Sequence, residues 1–378
     1  MAIILTEEQK ELKALIREFM ENEVIPFAQE YDERGEFPEE ILKKAHEMGL
    51  GCMNIEEEFG GSGLNNETMA VLIEEMAYGE AGVSTSLTVS GLAYECIRDF
   101  GSQEQKKLIG EAIVAGKYIS FALTEADSGS NAGAARCGYV ADGDEYVING
   151  SKAFITNASY ADYHLVFATK DPALGVRGLS AFIVANDTPG VSRGKKENKM
   201  GLRLSNTSDL HFDNVRVPKD MLVGKEGLGF KMAMTSLDVG RILIGAAATG
   251  IAQRALDESV KYAKQRSPFG QPIATHQAVQ FIIADMAIEI EAARLLTKNA
   301  AILKDQGMRI SKEAAIAKSF ASDVAMRATT DAVQILGGYG YSKEYPVEKL
   351  MRDAKVYQIF EGTNQIQRMV IAGAVLKE

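Results

Sequence analysis

The segment QILGGYGYSKEYPVEKLMRDAKVYQIFEGTNQIQR, from Gln334 to Arg368, holds the residue best suited to proton chemistry. Glu361 precedes Gly362 and Thr363, at a break between a helical pattern ending near Ile359 and another beginning near Asn364. A carboxylate on such a loop, beside apolar Ile359 and Phe360, is open to desolvation, which raises its pKa toward the range of a general base. Taken alone, the same residue also reads as a solvated Glu at a helix N-terminus. Upstream, Gly337, Gly338 and Gly340 allow the backbone to approach a ligand.

Three other segments carry groups that could hold such a ligand. FALTEADSGSNAG, from Phe121 to Gly133, joins an apolar strand to a loop of small residues with spare backbone donors and hydroxyls, and it also fits an ordinary strand-to-turn junction. SKAFITN, from Ser151 to Asn157, puts Phe154 and Thr156 on one face of a strand, because side chains alternate there; packing alone could explain both. In KQRSPFGQPIATHQAVQ, Arg266 follows a long helix and His276-Gln277 opens the next. Its guanidinium could meet a phosphate or simply cap the helix C-terminus.

Other chemistries find little support. The Gly-x-Gly pairs at Gly49/Gly51, Gly61/Gly63, Gly227/Gly229 and Gly338/Gly340 lack the third glycine of a dinucleotide fingerprint. Gly110 and Gly116-Lys117 are one residue too far apart for a phosphate loop, and Tyr118 stands where Ser or Thr should follow. The four histidines never fall at H-x-x-x-H spacing, and Cys52, Cys96 and Cys137 form no C-x-x-C pair, so no metal and no disulfide framework is expected.

The elements that must position these groups change period along the chain. From Thr6 to about Lys117, apolar residues recur at helical spacing, as in Leu12, Leu15, Ile16 and Phe19, then Met69, Leu72, Ile73 and Met76. From Tyr118 to about Val223 the period becomes two, with turn signals at Asp142-Gly143, Asn149-Gly150 and Pro189-Gly190. Helical patterns return from about Gly227, including Ala278 to Leu303, where Val279, Ile282, Ile283, Met286 and Ile290 mark one face. With 378 residues, 46% of them apolar, the chain is long enough for two or three packed domains. A formal charge of −11 disfavours a general grip on nucleic acid. The N-terminus turns acidic after its short apolar start and no run approaches a membrane span, so a cytoplasmic protein is expected.

In this order, over essentially the whole chain, the motifs resemble the acyl-CoA dehydrogenase family. The match from Gln334 to Arg368, with MRDAK at Met351 to Lys355 and EGT at Glu361 to Thr363, is closest to short- and medium-chain, butyryl-CoA-type members. The resemblance implies an α+β fold: an N-terminal helical domain (1–117), a middle β-barrel-like or sandwich domain (118–225) and a C-terminal four-helix bundle (226–378). FAD would lie between the last two. Leu123, Thr124, Gly129 and Ser130, with Phe154 and Thr156, match positions around the flavin ring, and Thr363 and Gln365 match positions near its adenosine. Arg266, Phe269, Gln334 and Gly338 match positions that reach FAD from a neighbouring subunit, which implies a homotetramer.

The implied reaction removes a proton α to a thioester while a hydride leaves the β-carbon for the flavin. Glu361 matches the base, and its backbone N–H, with a ribityl hydroxyl, would hold the enolate oxygen. Ser130, Arg241 and Gly362 match positions on the substrate side, with Arg241 ordering the loop. Some members carry the base at the position of Gly240, which the glycine here excludes. Ala126, Asn131, Phe154 and Phe360 depart from the usual proline, aspartate, tryptophan and tyrosine, leaving substrate choice open. Ser84 replaces the arginine of glutaryl-CoA dehydrogenases, which disfavours a dicarboxylic substrate. The expected activity is oxidation of short- or medium-chain acyl-CoA to trans-2-enoyl-CoA, with electrons passed to an electron-transferring flavoprotein. Alternatives are an enoyl-CoA reductase acting on short-chain or aryl substrates within such a complex, an acyl-CoA oxidase, disfavoured by length, and a non-catalytic flavin-binding protein, disfavoured by Glu361.

Overall fold

The computed structural model describes residues 5–377. Thr6 opens the first helix with a capping box: its hydroxyl accepts from the Gln9 N–H while the Gln9 side chain accepts from the Thr6 N–H. Helix α1 (Glu7–Phe19) runs through a π-helical turn at Met20–Val24 into α2 (Ile25–Arg34), with Pro26 where its missing N–H costs nothing. Helices α3 (Glu39–Glu47), α4 (Asn66–Gly79), α5 (Ala81–Phe100) and α6 (Gln103–Val114) complete the N-terminal part. Met69, Leu72, Ile73 and Met76 of α4 are all buried, as their spacing predicts, whereas Leu15 of α1 is half exposed.

The middle of the chain forms one eight-stranded sheet from β1 (Ile119–Ala122), β2 (Gly138–Asp142), β3 (Glu145–Thr156), β4 (Tyr163–Thr169), β5 (Leu179–Ala185), β6 (Val191–Lys196), β7 (Thr207–Pro218) and β8 (Leu222–Val223). The order is β6-β7-β3-β2-β4-β5-β8, with β1 parallel to β4. Leu210, Phe212, Val215 and Val217 of β7 are all buried, although their alternation skips a phase after Phe212. The skip is a β-bulge. Ile148 pairs with Val215 and Gly150 with Phe212, and the extra β7 residue is absorbed beside Asn214, whose φ is +51°. A second shift between Lys152 and Ile155 places the extra residue on β3, where Phe154 has φ +57°.

The C-terminal part comprises α7 (Gly229–Gln265), α8 (Gln277–Asp305), α9 (Ser311–Leu336), α10 (Val347–Tyr357) and α11 (Asn364–Val375). Small residues let these helices approach closely: an added Cβ at Gly250 of α7 would lie 2.1 Å from the Glu74 carbonyl oxygen of α4. One apolar core therefore runs from α1 and α4 through α7 to α9 and α10. A buried ion network ties α5, α10 and the β6–β7 loop together. Lys349 Nζ donates to Glu80 Oε2 and Asp353 Oδ2, both at 2.6 Å, and Asp353 Oδ1 accepts from the Leu202 N–H at 2.7 Å. The two carboxylates hold the Lys349 ammonium above its usual pKa range against the opposing effect of burial.

Among the described residues, no helix is long and apolar enough to cross a membrane, and no group of His, Cys, Asp and Glu is placed to hold a metal ion.

Candidate active site

Glu361 lies in the link between α10 and α11, in a left-handed conformation at φ +53°, followed by Gly362 at φ +86°. This pair of positive φ values turns the chain sharply and aims the Glu361 carboxylate inward. Oε2 is buried without a hydrogen-bond partner. It faces the junction of α5 and α7: a Cβ added at Gly240 would lie 3.2 Å from Oε2 and 3.0 Å from Leu92 Cδ1. Burial pushes the Glu361 carboxyl up to about 7, against the opposing pull of the Arg241 and Lys318 cations.

The expected source of that desolvation needs correcting. Ile359 is 52% exposed and points away, while Phe360 packs on Tyr357 at a ring separation of 4.9 Å. On the side of α7 the carboxylate instead faces the space left at Gly240, which Leu92 of α5 also borders.

The carbonyl groups of the turn are held from several helices. Gln367 Nε2 of α11 donates to the Glu361 and Gly362 carbonyls at 3.1 and 2.9 Å. Arg241 of α7 is buried, reaches the Glu361 carbonyl with Nε at 3.5 Å, and pairs through Nη1 with Asp238 at 2.6 Å. Asp238 in turn accepts from Ser311 Oγ at the start of α9. Lys318 of α9, fully buried, donates to the Gly362 carbonyl and to Asn364 Oδ1, both at 2.9 Å. None of the hydrogen bonds among the described residues uses the Glu361 N–H.

Sequence reasoning missed Lys318 and Gln367. Lys318 does leave a trace: it shares a buried stripe with Ala314, Ala321, Ala325 and Ala328, a position where an unpaired charge would be prohibitive.

The segment from Leu123 to Ser130 is anchored beneath and open above. Glu125 accepts from the Arg136 and Cys137 N–H groups at 2.7 and 3.0 Å and from buried Lys152 Nζ at 2.6 Å; Lys152 also donates to the Leu123 carbonyl. The Ala153 N–H donates to the Thr124 carbonyl at 2.9 Å, which docks the loop on β3. Leu123 is buried and Thr124 half-buried, whereas Gly129 and Ser130 are exposed, and a Cβ at Gly129 would meet nothing within 4 Å. Next to them on β3, Phe154 is 64% exposed and Thr156 half-buried, with Ile155 turned into the core between them. The irregularity falls at Phe154, so the strict alternation behind the expected shared face for Phe154 and Thr156 is interrupted there, with Lys152 and Ala153 both buried.

Arg266, Phe269, Gln334 and Gly338 form a separate exposed group. The Arg266 guanidinium lies 5.7 Å from the Tyr339 ring centre, Phe269 is 83% exposed, and Gly337 and Gly338 have open space where a Cβ would be. No hydrogen bond or ring contact among the described residues links this group to the Leu123–Ser130 loop or to Phe154. The Thr363 hydroxyl caps α11 by accepting from the Ile366 N–H, and Gln365 is exposed beside it.

This fold, with a buried carboxylate of raised pKa at the junction of α5, α7 and the α10–α11 link, places the chain among the oxidoreductases that act on CH–CH groups. It belongs to the acyl-CoA dehydrogenase family: models of the family's N-terminal, middle and C-terminal domains match residues 6–117, 120–215 and 227–376. It is 47% identical to the mitochondrial short-chain specific acyl-CoA dehydrogenase of Bos taurus, covering 100% of this chain and 92% of the relative. The solved butyryl-CoA dehydrogenase of Megasphaera elsdenii superposes with a TM-score of 0.97 at 43% identity over 100% of both chains. A chain from structural work on the electron transferring flavoprotein of Acidaminococcus fermentans and flavin-based electron bifurcation superposes at 0.98, with 45% identity over 100% of both chains.

Proposed function

We propose that this chain is an FAD-dependent dehydrogenase of short-chain acyl-CoA thioesters, with Glu361 as the base that removes the α-proton. The observation that carries this reading is the Glu361 carboxyl, buried, unpaired at Oε2 and raised to about 7, so that it can accept a proton near neutral pH. Its free N–H is a donor for the thioester oxygen, where negative charge develops as the proton leaves.

The residues present fit a flavin. Gly129 and Ser130 offer an open backbone, and the exposed Phe154 ring and half-buried Thr156 on neighbouring β3 are available to a flat ring system. Bound there, FAD would supply the hydride acceptor. Arg266, Phe269, Gln334 and Gly338, which have no contact with that face in the protomer, would reach FAD across a subunit boundary. Helix α8 supports such an assembly: Met286 and Ile290 face the core while Phe281, Ile288 and Leu295 present a second, exposed apolar face. A homotetramer is the arrangement we propose.

We expect a short acyl group to be favoured. One turn along α5 and α7 from Leu92 and Gly240, Thr88 and Leu243 line a cavity of only about 10 Å³, together with Leu50, Met53, Met69 and Leu87. Extra methylenes would meet packed side chains there. Similarity to the Acidaminococcus chain favours a second reading, in which an electron-transferring flavoprotein exchanges electrons with this chain and an enoyl-CoA is reduced.

The test is anaerobic titration of the purified flavoprotein with butyryl-CoA and longer acyl-CoAs. Butyryl-CoA should bleach the flavin of the native protein and leave that of Glu361→Gln oxidised, a loss of about 10²-fold or more in rate. Equal bleaching of both proteins would remove Glu361 from the chemistry.

A further inference from the structure

A lysine buried in an alanine-rich helix needs a reason. Lys318 is 0% exposed, and its ammonium sits under the one turn of the protein that aims a catalytic carboxylate inward. It donates to the Gly362 carbonyl, directly after Glu361, and to Asn364 Oδ1, the first residue of α11. Neither contact needs a cation for hydrogen bonding alone. Gln367 Nε2 already donates to the Gly362 carbonyl at 2.9 Å, and Ser322 Oγ lies 3.2 Å from Asn364 Oδ1.

A buried ammonium is costly unless something near it gains from the charge. The charged groups around Lys318 are Glu361 on the loop, Arg241 with Asp238 on α7, and Asp323 on its own helix. Arg241 is occupied by Asp238, and Asp323 is occupied by Arg368, Gln358 and Asn364. Glu361 is the one carboxylate of the set that has no direct ion pair.

We propose that Lys318 is a positioning residue for Glu361, a buried cation that holds the Glu361–Gly362 turn and favours the ionised, proton-accepting form of the carboxylate. This rests on reading Glu361 as the base. The electrostatics agree in both directions: Lys318 lowers the pKa of Glu361, Glu361 raises that of Lys318, and burial nonetheless carries Lys318 down to about 7. Each group therefore favours the charged form of the other. Once Glu361 has taken the substrate proton, the stabilisation of the ammonium falls, which favours release of that proton before the next turnover.

The test uses the flavin-loaded protein with Lys318→Met and Lys318→Arg. Because both acceptors keep a donor in Lys318→Met, its flavin content and melting temperature should stay near those of the native protein. Its kcat should fall about 10-fold with a smaller change in KM, and the acid limb of its rate profile should move up by about one pH unit. Lys318→Arg, which keeps the charge, should return the limb to its native position. An acid limb that stays in place in Lys318→Met would overturn the proposal and leave Lys318 a packing residue.

A second measurement needs no turnover. The side-chain resonance of Lys318, labelled with 13C and assigned by its loss in Lys318→Met, should titrate at lower pH in Glu361→Gln than in the native protein. Unchanged titration refutes the pairing. If the native protein oxidises no acyl-CoA, the proposed function fails while this coupling is still measured.

Discussion

Gly240→Ala tests the geometry of the base with a single methyl group. The added Cβ would sit 3.2 Å from Glu361 Oε2 and 3.0 Å from Leu92 Cδ1, against about 3.5–4.0 Å for a relaxed carbon contact. Gly240 is inside α7, whose backbone cannot yield, so the two side chains must each move by a few tenths of an ångström. The Glu361 carboxylate yields more readily, because no hydrogen bond holds Oε2. Rotation of about 30° away from its rotamer costs roughly 0.5–1.5 kcal/mol. If that cost falls on the proton-transfer step, the rate drops by about 2- to 13-fold, at roughly 1.4 kcal/mol per factor of ten.

Stability should move the other way or stay level, since replacing glycine by alanine inside a helix gains about 1 kcal/mol before the contact is counted. The assay is rapid-mixing reduction of the bound flavin by butyryl-CoA under anaerobic conditions, alongside a melting curve and a flavin count. A slowed reduction at unchanged flavin content and melting temperature is the expected result. A reduction rate equal to or above the native value would show that Glu361 does not depend on the empty space at Gly240, and the account of the site would fail.

Two further outcomes follow from buried charges. Glu361 must be ionised to accept a proton, so kcat/KM for oxidation should rise with pH through about 7 and level off above it; for reduction of an enoyl-CoA, where the protonated carboxyl must give its proton up, the rate should fall through the same range. A flat profile from pH 5 to 9 in both directions would contradict the raised pKa. Lys349→Met leaves Glu80 and Asp353 buried without their cation and should lower stability by about 3–5 kcal/mol at pH 7. Denaturant melts should show that loss shrinking in acid as Glu80, which burial already holds above the usual carboxylate range, takes up a proton; an equal loss at neutral and acid pH would argue for packing rather than charge.

Much of this was readable in the chain. The helical spacing of Met69, Leu72, Ile73 and Met76 and the alternation of Leu210 with Phe212 reported buried faces, because amphipathic elements must put one side inward. The helix break before Glu361 was visible as well, two residues later than α10 in fact ends at Tyr357. What surrounds the carboxylate was not. Leu92, Gly240 and Lys318 are brought to Glu361 from α5, α7 and α9, and local patterns carry no term for such meetings. The error over Ile359 has the same origin: it assumed that neighbours in sequence enclose a side chain, whereas Ile359 is half exposed. The bulge at Phe154 was not legible either, because it depends on the register between β3 and β7 and interrupts the period-two alternation from which the face of Phe154 was read.

The placement of Glu361, the proposed base, on a loop rather than on a helix has a physical consequence. A left-handed conformation at a non-glycine residue costs roughly 1–3 kcal/mol and persists only where the surroundings over-determine it. Here they do: Gln367, Arg241 and Lys318 hold the two carbonyls of the turn from α11, α7 and α9, while the carboxylate itself is left unbonded at Oε2. The backbone is fixed so that the reacting group can be free. That division also explains why Gly240 and Gly362 matter in opposite ways. A side chain at Gly240 would crowd the carboxylate, whereas one at Gly362 would strike Gln367 Nε2 at 2.8 Å and disturb the clamp. Because the carboxyl titrates near neutrality, the same arrangement can take a proton from a saturated thioester or return one to an unsaturated thioester.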